Sequence, residues 1–249
     1  METYFNLNYE FNITEIHQAI ARRLPQKGSD YICVADGVIV DNANRNPEYL
    51  KVVNSSMFSI CDSSLIPLYI KWIYGIQYNQ YCGSQIFIDI IKSQKYRMAF
   101  IGSTSKILEG LKETLIPYNS RINEMLFYEL PYKPVNQFDY AYIAKVIEKS
   151  KADIIWVSLG APKQEIFMNN LKPYLNHGIM IAVGAAFKFY SEKGVKRAPR
   201  WMIKMHMEFI HRIFMEPKKQ IKRCWSILNS LPHLLYSEWK KSKCKANHQ

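Results

Sequence analysis

Short apolar runs alternate with longer amphipathic segments along most of the chain, and this alternation limits the folds open to it. Each apolar run ends at a turn that contains Gly, Asp or Ser, and a segment with helical spacing of its apolar residues follows. Uninterrupted apolar strands that alternate with helices are typical of a parallel sheet covered on both faces. The sequence therefore predicts an α/β fold in which helices cover both faces of a parallel sheet.

The bounds of the predicted elements follow from these runs. We expect strands at residues 31–34, 38–40, 57–60, 97–101, 153–159 and 179–183. We expect helices at residues 47–53, 64–74, 106–115 and 140–150, and a further helix with Pro162 at its first position. The region near Gly83 and residues 119–137 read as loops, the second with an edge strand. Ligands of such sheets bind beyond the carboxyl ends of the strands, here residues 34–36, 61–63, 102–105, 160–165 and 184–187.

The net charge of +12 is concentrated near the end of the chain. Residues 1–192 hold 19 Lys and Arg against 18 Asp and Glu, whereas residues 193–249 hold 14 against 3. Apolar residues spaced by three and four among these cations predict amphipathic helices. We expect a core domain at 1–194 and a basic helical appendage at 195–249. Two compatible interpretations stay open: the appendage meets an anionic membrane, or it packs on the core as a helical layer.

Other compositional signals bear on location. The first residues lack the basic and apolar regions of a signal peptide, and no apolar stretch is long enough to span a bilayer. The five cysteines form no C-x-x-C pair, which argues against a zinc site or a disulfide framework. We expect a cytoplasmic protein that is soluble or peripheral to the membrane.

Two aspartates follow predicted strands and are candidate catalytic bases. Asp62 ends the run Phe58–Cys61, and Asp36 follows Val34-Ala35. A carboxylate at a strand end, inside a cleft, is placed to accept a proton from a bound hydroxyl. The alternative for Asp62 is a cap on the helix that starts near Ser64, and the alternative for Asp36 is an ordinary Asp-Gly turn.

The junction at Gly160 is a candidate phosphate site. A helix N-terminus there offers unpaired N–H groups and the positive end of a dipole, and Lys163 and Gln164 add a cation and an amide. The turn Gly102–Ser105 is a second possible cradle, with a weaker signal because it holds a lone glycine. The alternative is a plain strand–helix junction with exposed polar residues.

Nothing in the sequence indicates a metal or a cofactor. It has no D-x-D pair, no P-loop or dinucleotide fingerprint, and its six histidines lack metal-ligand spacing. A reaction that releases phosphate without a metal needs Arg, Lys or N–H donors to neutralise the developing charge. We therefore expect no metal and no cofactor.

Several strings together resemble the WecG/TagA/CpsF glycosyltransferases. They are Gly160-Ala161-Pro162-Lys163-Gln164-Glu165, Val183-Gly184-Ala185-Ala186-Phe187, Val195-Lys196-Arg197-Ala198-Pro199-Arg200-Trp201-Met202 and Glu208-Phe209-Ile210-His211-Arg212-Ile213-Phe214-Met215-Glu216-Pro217. Their order and spacing match the family, and the resemblance extends from about Tyr31 to the region of Arg223.

The resemblance implies a Rossmann-like core and inverting, metal-independent transfer of a sugar, an N-acetylhexosamine or hexose, from a UDP-sugar to a polyprenyl-diphosphate-linked sugar. It implies surface polysaccharide or teichoic acid-type glycan synthesis by a peripheral protein at the inner face of the cell membrane, with a basic appendage that meets an anionic membrane surface. The proposed base falls on Asp62, with Asp36 as a partial substitute. The expected donor residues are Gly102, Ser103, Gly160, Pro162, Lys163, Gln164, Glu165, Gly184 and Phe187. The arginines expected at a diphosphate are Arg197, Arg200, Arg212 and Arg223.

The sequence departs from the family pattern in four places. Val34-Ala35-Asp36 replaces Thr-x-Asn, Cys61-Asp62-Ser63 replaces Pro-Asp-Gly, Gln80 replaces an Arg, and Phe187-Lys188 replaces Phe-Asp. They leave open a second hypothesis, a catalytically impaired homologue that binds nucleotide-sugar or lipid. Nucleic-acid binding through the basic tail is the least favoured hypothesis, because the body is neutral and carries no nucleic-acid motif, and we expect no such partner. The oligomeric state stays open, a homo-oligomer included.

Overall fold

The computed structural model describes residues 1–191 and 217–246. Its centre is an eight-stranded sheet in the order β1-β2-β4-β3-β8-β7-β5-β6, parallel except for the β1–β2 pair. The strands are β1 (Glu2–Tyr4), β2 (Leu7–Tyr9), β3 (Asp30–Ala35), β4 (Ser59–Cys61), β5 (Met98–Gly102), β6 (Leu126–Tyr128), β7 (Ile154–Ser158) and β8 (Ile179–Ala182). The predicted α/β fold is confirmed.

Helices cover both faces of this sheet. They are α1 (Ile13–Arg23), α2 (Gly37–Arg45), α3 (Pro47–Asn54), α4 (Leu65–Tyr74), α5 (Gly83–Ser93), α6 (Ser105–Leu115), α7 (Tyr140–Ser150), α8 (Lys163–Leu171), α9 (Ala186–Ser191) and α10 (Pro217–Ala246). Successive residues of β3 point to opposite faces, so Tyr31 and Cys33 join one buried cluster while Ile32 joins the other. The first cluster packs against α2, α3, α4, α7 and α8, and the second packs against α1, α5, α6 and α9.

The strand register aligns the ends that carry the site. Ala35 of β3 lies opposite Cys61 of β4, and Gly102 of β5 lies opposite Ser158 of β7. Because the paired strands are parallel, the residues that follow them emerge at one edge of the sheet. Asp36 and Asp62 are therefore neighbours in space, although 25 residues separate them in the chain.

Some predicted elements differ from the observed ones. Residues 38–40 were expected to form a strand but lie in α2, because the Asp36 carboxylate accepts hydrogen bonds from the backbone of Val38 and Ile39 and so caps a helix there. The loop expected near Gly83 is helix α5, which begins at Gly83. Pro162 occupies the N-cap position, and α8 begins one residue later. The edge strand expected within 119–137 is β6, and this prediction is confirmed.

Helix α10 packs along α2 and α4. The hydroxyl of Ser226 donates to Asp41 of α2, and Tyr74 of α4 donates to the buried Glu238 at 2.9 Å. Leu234 and Leu235 pack against the first core cluster. The helical layer considered from the sequence is thus present in this part of the basic segment. The expected domain boundary at residues 194 and 195, together with Arg197, Arg200 and Arg212, lies outside the described residues.

The outer side of α10 carries exposed apolar side chains. They are Ile221, Trp225, Leu228, Tyr236 and Trp239. Their spacing of three, four and eight residues places them on one side of the helix. Among the described residues, no helix is long and apolar enough to cross a membrane.

Candidate active site

The carboxyl ends of β3, β4, β5, β7 and β8 surround a cavity of about 290 Å³, which we call the sheet-edge cleft. Asp36 and Asp62 line one side of it. Ser103, Gly160 and Gly184 line the other side. These strand ends are the ones at which the sequence predicted a ligand site. The glycine turns and the two aspartates are thus brought together although they are far apart in the chain.

Asp62 is held from two directions. Its Oδ1 accepts a hydrogen bond from the backbone N–H of Gly83 at 2.8 Å, at the start of α5. The side-chain amide of Gln80 donates to its backbone carbonyl. The cap on the helix near Ser64 is therefore the wrong alternative: the hydroxyl of Ser63 meets the N–H of Leu65, and Asp62 caps α5 instead. The carboxylate is half-buried and lines the cleft.

Asp36 has a structural role that leaves its carboxylate at the cleft. Its Oδ1 accepts from the N–H groups of Val38 and Ile39 at 2.9 and 3.0 Å, which fixes the start of α2. The Asp-Gly pair is thus a helix cap rather than an ordinary turn. Its carboxylate also contributes negative charge that raises the pKa of the nearby Glu165.

The other side of the cleft is mainly backbone. Gly160 and Gly184 line it, Gly102 is buried just before Ser103, and all three have positive φ, which glycine adopts without strain. A side chain at Gly102 would also bring its Cβ within 2.6 Å of the Ser158 carbonyl oxygen. The hydroxyl of Ser158 in turn donates to the Gly184 carbonyl at 2.6 Å. The turns after β5, β7 and β8 therefore contact one another directly, at the place where a phosphate could approach the backbone.

Of the two predicted donor residues that follow Lys163, Gln164 lines the cleft and Glu165 does not. The Oε1 of Gln164 accepts from the N–H of Gly160 at 3.0 Å, and its amide donates to Glu165 at 2.9 Å. Glu165 is fully buried and also accepts from the hydroxyl of Tyr49 at 2.9 Å. Gln164 lines the cleft, whereas Glu165 lies behind it in the core. These two residues hold the Gly160 turn in place from inside.

Burial changes the acidity of this network. Loss of solvation raises the pKa of Glu165 to about 7. The hydrogen bonds from Gln164 and Tyr49 lower this pKa, but their effect is smaller than that of burial. The pKa of Tyr49 is raised by its own burial and by the neighbouring Glu165. The protonation state of Glu165 therefore changes close to neutral pH.

Three other predicted donor residues lie away from the cleft. Lys163 lines a neighbouring cavity of about 590 Å³ with Tyr132 and Lys133, and its Nζ lies 5.5 Å from the centre of the Tyr132 ring. This second cavity, the lysine cavity, shares Ser103 and Ser158 with the cleft. Neither cavity has Pro162 or Phe187 in its lining. Pro162 ends the Gly160 turn, and Phe187 is buried among other aromatic rings.

A third, mostly apolar cavity of about 190 Å³ adjoins the cleft between α2, α4 and α10. Asp36, Asp62 and Arg223 line both. Within the described residues Arg223 makes no hydrogen bond or ion pair, and it is half-buried. The sequence predicts Arg223 as a site residue but does not predict this cavity, because its walls come from three helices that the chain order does not connect.

Two further residues of the cleft went unrecognised as site residues in the sequence. Gly83 lay in a segment read as a loop, and only the tertiary structure pairs its N–H with Asp62. Lys188 lines the cleft from α9 and appeared only as a departure from the family pattern. Among residues 1–191 and 217–246, no group of three or more His, Cys, Asp or Glu could hold a metal ion.

Comparison with known proteins decides the family. A sequence model described as the glycosyl transferase WecG/TagA/CpsF family matches residues 5–247, nearly the whole chain. The chain belongs to the WecG/TagA/CpsF family of glycosyltransferases. The sheet-edge cleft is therefore the candidate active site of a glycosyltransferase, and the match includes α10 as well as the sheet.

Relatives within the WecG/TagA/CpsF family carry a more specific name. An N-acetylglucosaminyldiphosphoundecaprenol N-acetyl-beta-D-mannosaminyltransferase from Bacillus subtilis is 24% identical over 98% of this chain and 93% of its own length. An enzyme of the same name from Bacillus spizizenii is 25% identical over 90% of this chain and 84% of its own. A third, from Staphylococcus aureus, is 24% identical over 83% and 78%.

Proposed function

We propose that this protein is an inverting glycosyltransferase that moves an N-acetylhexosamine from a UDP-sugar to a polyprenyl-diphosphate-linked sugar. The observation that carries the proposal is the position of Asp62, which lines both the polar sheet-edge cleft and the apolar cavity beside it. A base between a nucleotide-sugar and a lipid-linked sugar needs this position. The relatives named above act on a lipid of this class, which supports the acceptor.

Asp62 is the proposed general base. Its carboxylate takes the proton of the acceptor hydroxyl while the hydroxyl oxygen attacks the anomeric carbon of the donor. The bond from that carbon to the phosphate oxygen breaks, and UDP leaves with the electron pair. Attack from the face opposite UDP inverts the anomeric centre, and the β linkage printed in the relatives' names agrees with transfer from an α-linked donor. The Gly83 N–H holds the carboxylate in one orientation, and Gln80 holds the Asp62 backbone through its carbonyl oxygen.

The donor diphosphate is proposed to lie over the Gly102, Gly160 and Gly184 turns. Glycines let a phosphate approach the backbone N–H groups closely, and the start of α8 adds the positive end of a helix dipole. Lys163 lies in the adjoining lysine cavity, where it faces a nucleotide that extends past Ser103. Charge that develops on the leaving UDP is neutralised by these groups without a metal.

The acceptor is proposed to approach from the α10 side. Arg223 is a half-buried cation next to both aspartates, and a lipid diphosphate would supply its counter-charge. The exposed apolar side chains of α10, among them Trp225 and Trp239, with lysines such as Lys240 and Lys243, suit the surface of an anionic membrane. The protein would then act at the inner face of the cell membrane in surface polysaccharide or teichoic acid-type glycan synthesis.

A second candidate function is binding of nucleotide-sugar or lipid without turnover. Val34 and Lys188 favour it, because both line the cleft and both replace polar or acidic residues of the family pattern. The Cγ1 methyl group of Val34 lies so close to Gly83 that a Cβ added at Gly83 would be 3.0 Å from it. This hypothesis keeps the fold and the donor site but loses the chemical step.

A transfer assay separates the two functions. The full chain is incubated with a panel of UDP-sugars and a short-chain polyprenyl-diphosphate-GlcNAc acceptor, and the lipid product and released UDP are both measured. The proposed function predicts a longer lipid-linked glycan with one UDP-N-acetylhexosamine, in step with UDP release. UDP binding without product for any donor would instead support the second candidate.

A further inference from the structure

The apolar cavity between α2, α4 and α10 has the features of a lipid site. Most of its wall is apolar and comes from all three helices, among them Val40 of α2, Ile66 and Tyr69 of α4, and Ile227 and Leu231 of α10. The polar residues Asp41, Ser63, Ser64 and Gln80 also line it. Its volume is about 190 Å³. A cavity of roughly 150 Å³ lined by similar side chains holds a benzene molecule. The space therefore fits a short branched hydrocarbon segment.

One end of this cavity is charged and opens to the site. Asp36, Asp62 and Arg223 form the wall shared with the sheet-edge cleft. Arg223 has no ionic partner within the described residues, so an anionic group bound there would face an available guanidinium. The ligand must then combine an anionic head at Arg223 with an apolar tail in the cavity.

The other end borders exposed apolar residues. Leu65 lines the cavity and is 36% exposed, and Leu68 and Trp72 continue along the same side of α4 with 42% and 73% exposure. A long hydrocarbon chain that leaves the cavity at this end would meet these three apolar side chains. A hydrocarbon suits the apolar part of the cavity better than a free sugar or nucleotide does, because hydroxyl groups placed among Val40, Ile66 and Leu231 would lose water without gaining partners.

We infer that this cavity holds the first isoprenoid units of the acceptor lipid, with the lipid diphosphate against Arg223. The inference rests on the proposed function and adds to it a defined subsite for the lipid. Burial of the first units would fix the position of the acceptor sugar relative to Asp62, since the diphosphate joins the sugar to the chain. Lipid length near the head group would then control acceptor binding.

Binding of three soluble probes tests the subsite without any transfer step. Inorganic pyrophosphate, dimethylallyl diphosphate and farnesyl diphosphate are titrated into the full chain by calorimetry below the micelle concentration of the longest. If the cavity takes isoprenoid units, affinity rises along this series, at least about tenfold from pyrophosphate to farnesyl diphosphate. Equal affinities for all three probes in the wild-type chain would overturn the inference.

Filling the cavity locates the effect. Leu231→Trp places a larger side chain in the cavity, and Asn229→Trp makes a matched change at an exposed position of the same helix. We expect Leu231→Trp to remove the gain of farnesyl diphosphate over pyrophosphate and Asn229→Trp to keep it. If Leu231→Trp disturbs α10, Val40→Phe fills the cavity from α2 instead. Retention of the gain in both filled variants would place the lipid elsewhere.

The result is distinguishable from failure of the proposed function. A chain that binds farnesyl diphosphate in the cavity but transfers no sugar would keep the subsite and reject the enzyme. Suppose instead that the chain transfers sugar equally well to acceptors with prenyl and with short linear alkyl tails, and binds all three probes with equal affinity. That result would keep the enzyme and reject the subsite. UDP binding, measured in every variant, reports that the sheet-edge cleft is folded.

Discussion

The two sides of the sheet-edge cleft differ in the groups they present, backbone turns on one side and charged side chains on the other. The side formed by β5, β7 and β8 presents glycine turns, held from behind by Gln164 and Glu165. The side formed by β3, β4 and α10 presents the side chains of Asp36, Asp62 and Arg223. We call the first the donor side and the second the acceptor side, after their proposed roles. The donor side depends on local backbone, whereas the acceptor side depends on contacts between distant segments.

The donor side therefore needs particular residues at its turns, whereas the acceptor side needs side chains that folding brings together. A turn that needs positive φ tolerates few residues besides glycine. Departures from the family pattern occur on both sides, at Val34, Ser63 and Gln80 on the acceptor side and at Lys188 beside the donor turns. The comparison predicts that the two sides can be disabled separately.

Loss of α10 should have the largest effect and should fall on the acceptor side alone. A chain that ends at residue 216 lacks Arg223 and one wall of the apolar cavity. We expect transfer to be abolished, while UDP binding measured by calorimetry persists, because the strands and turns of the donor side all precede residue 192. A chain without its last three residues is the control. Normal transfer by the shorter chain would refute the role of α10.

Arg223→Ala tests the acceptor side without removing a helix. Loss of a cation that stabilises a diphosphate should lower kcat/KM for the acceptor by about 10²–10³-fold. The UDP affinity should stay close to that of the wild type. Lys240→Ala removes the same charge from an exposed position of the same helix and is the matched control. Equal losses in the two variants would mean that only the overall charge of α10 matters.

Glu165→Gln tests the support behind the donor side. The pKa of Glu165 rises from an ordinary 4.5 to about 7 on folding, so the unfolded chain releases this proton at lower pH than the folded one. The folded state therefore loses stability as pH rises from 4.5 to 7. In the wild type this loss lowers the free energy of unfolding by up to about 3 kcal/mol above pH 7. We expect Glu165→Gln to remove the loss when the free energy of unfolding in urea is measured across this pH range. The exposed Glu109→Gln should leave the pH dependence unchanged, and a similar slope in wild type and Glu165→Gln would contradict the account.

Tyr74→Phe should have the smallest effect, on the packing of α10. It removes the hydrogen bond from the Tyr74 hydroxyl to buried Glu238. The ion pair between Glu238 and Lys241, with 3.1 Å between Oε2 and Nζ, remains. We expect a loss of about 1–2 kcal/mol in the free energy of unfolding. Tyr236→Phe, at an exposed position of α10, should cost nothing measurable. Equal stability of both variants would show that Glu238 is satisfied in another way.

The sequence predicted the core strands better than the packing of the helices around the site. Apolar strands such as 153–159 and 179–183 are long and uninterrupted, so their pattern identifies β7 and β8 almost to the residue. Residues 38–40 were assigned wrongly because three β-branched residues favour a strand until the Asp36 cap starts a helix. No local signal pairs Gly83 with Asp62 or builds a cavity from α2, α4 and α10, since both depend on tertiary packing.

The most direct test of the central claim compares UDP binding and transfer in Asp62→Asn. The two sides of the cleft are proposed to meet at this carboxylate, and asparagine keeps an oxygen for the Gly83 N–H while losing the ability to take a proton. The account predicts unchanged UDP affinity with kcat lowered by about 10²–10⁴-fold. Asp36→Asn, which retains the helix cap, should lower kcat far less. Full transfer activity in Asp62→Asn would contradict the account.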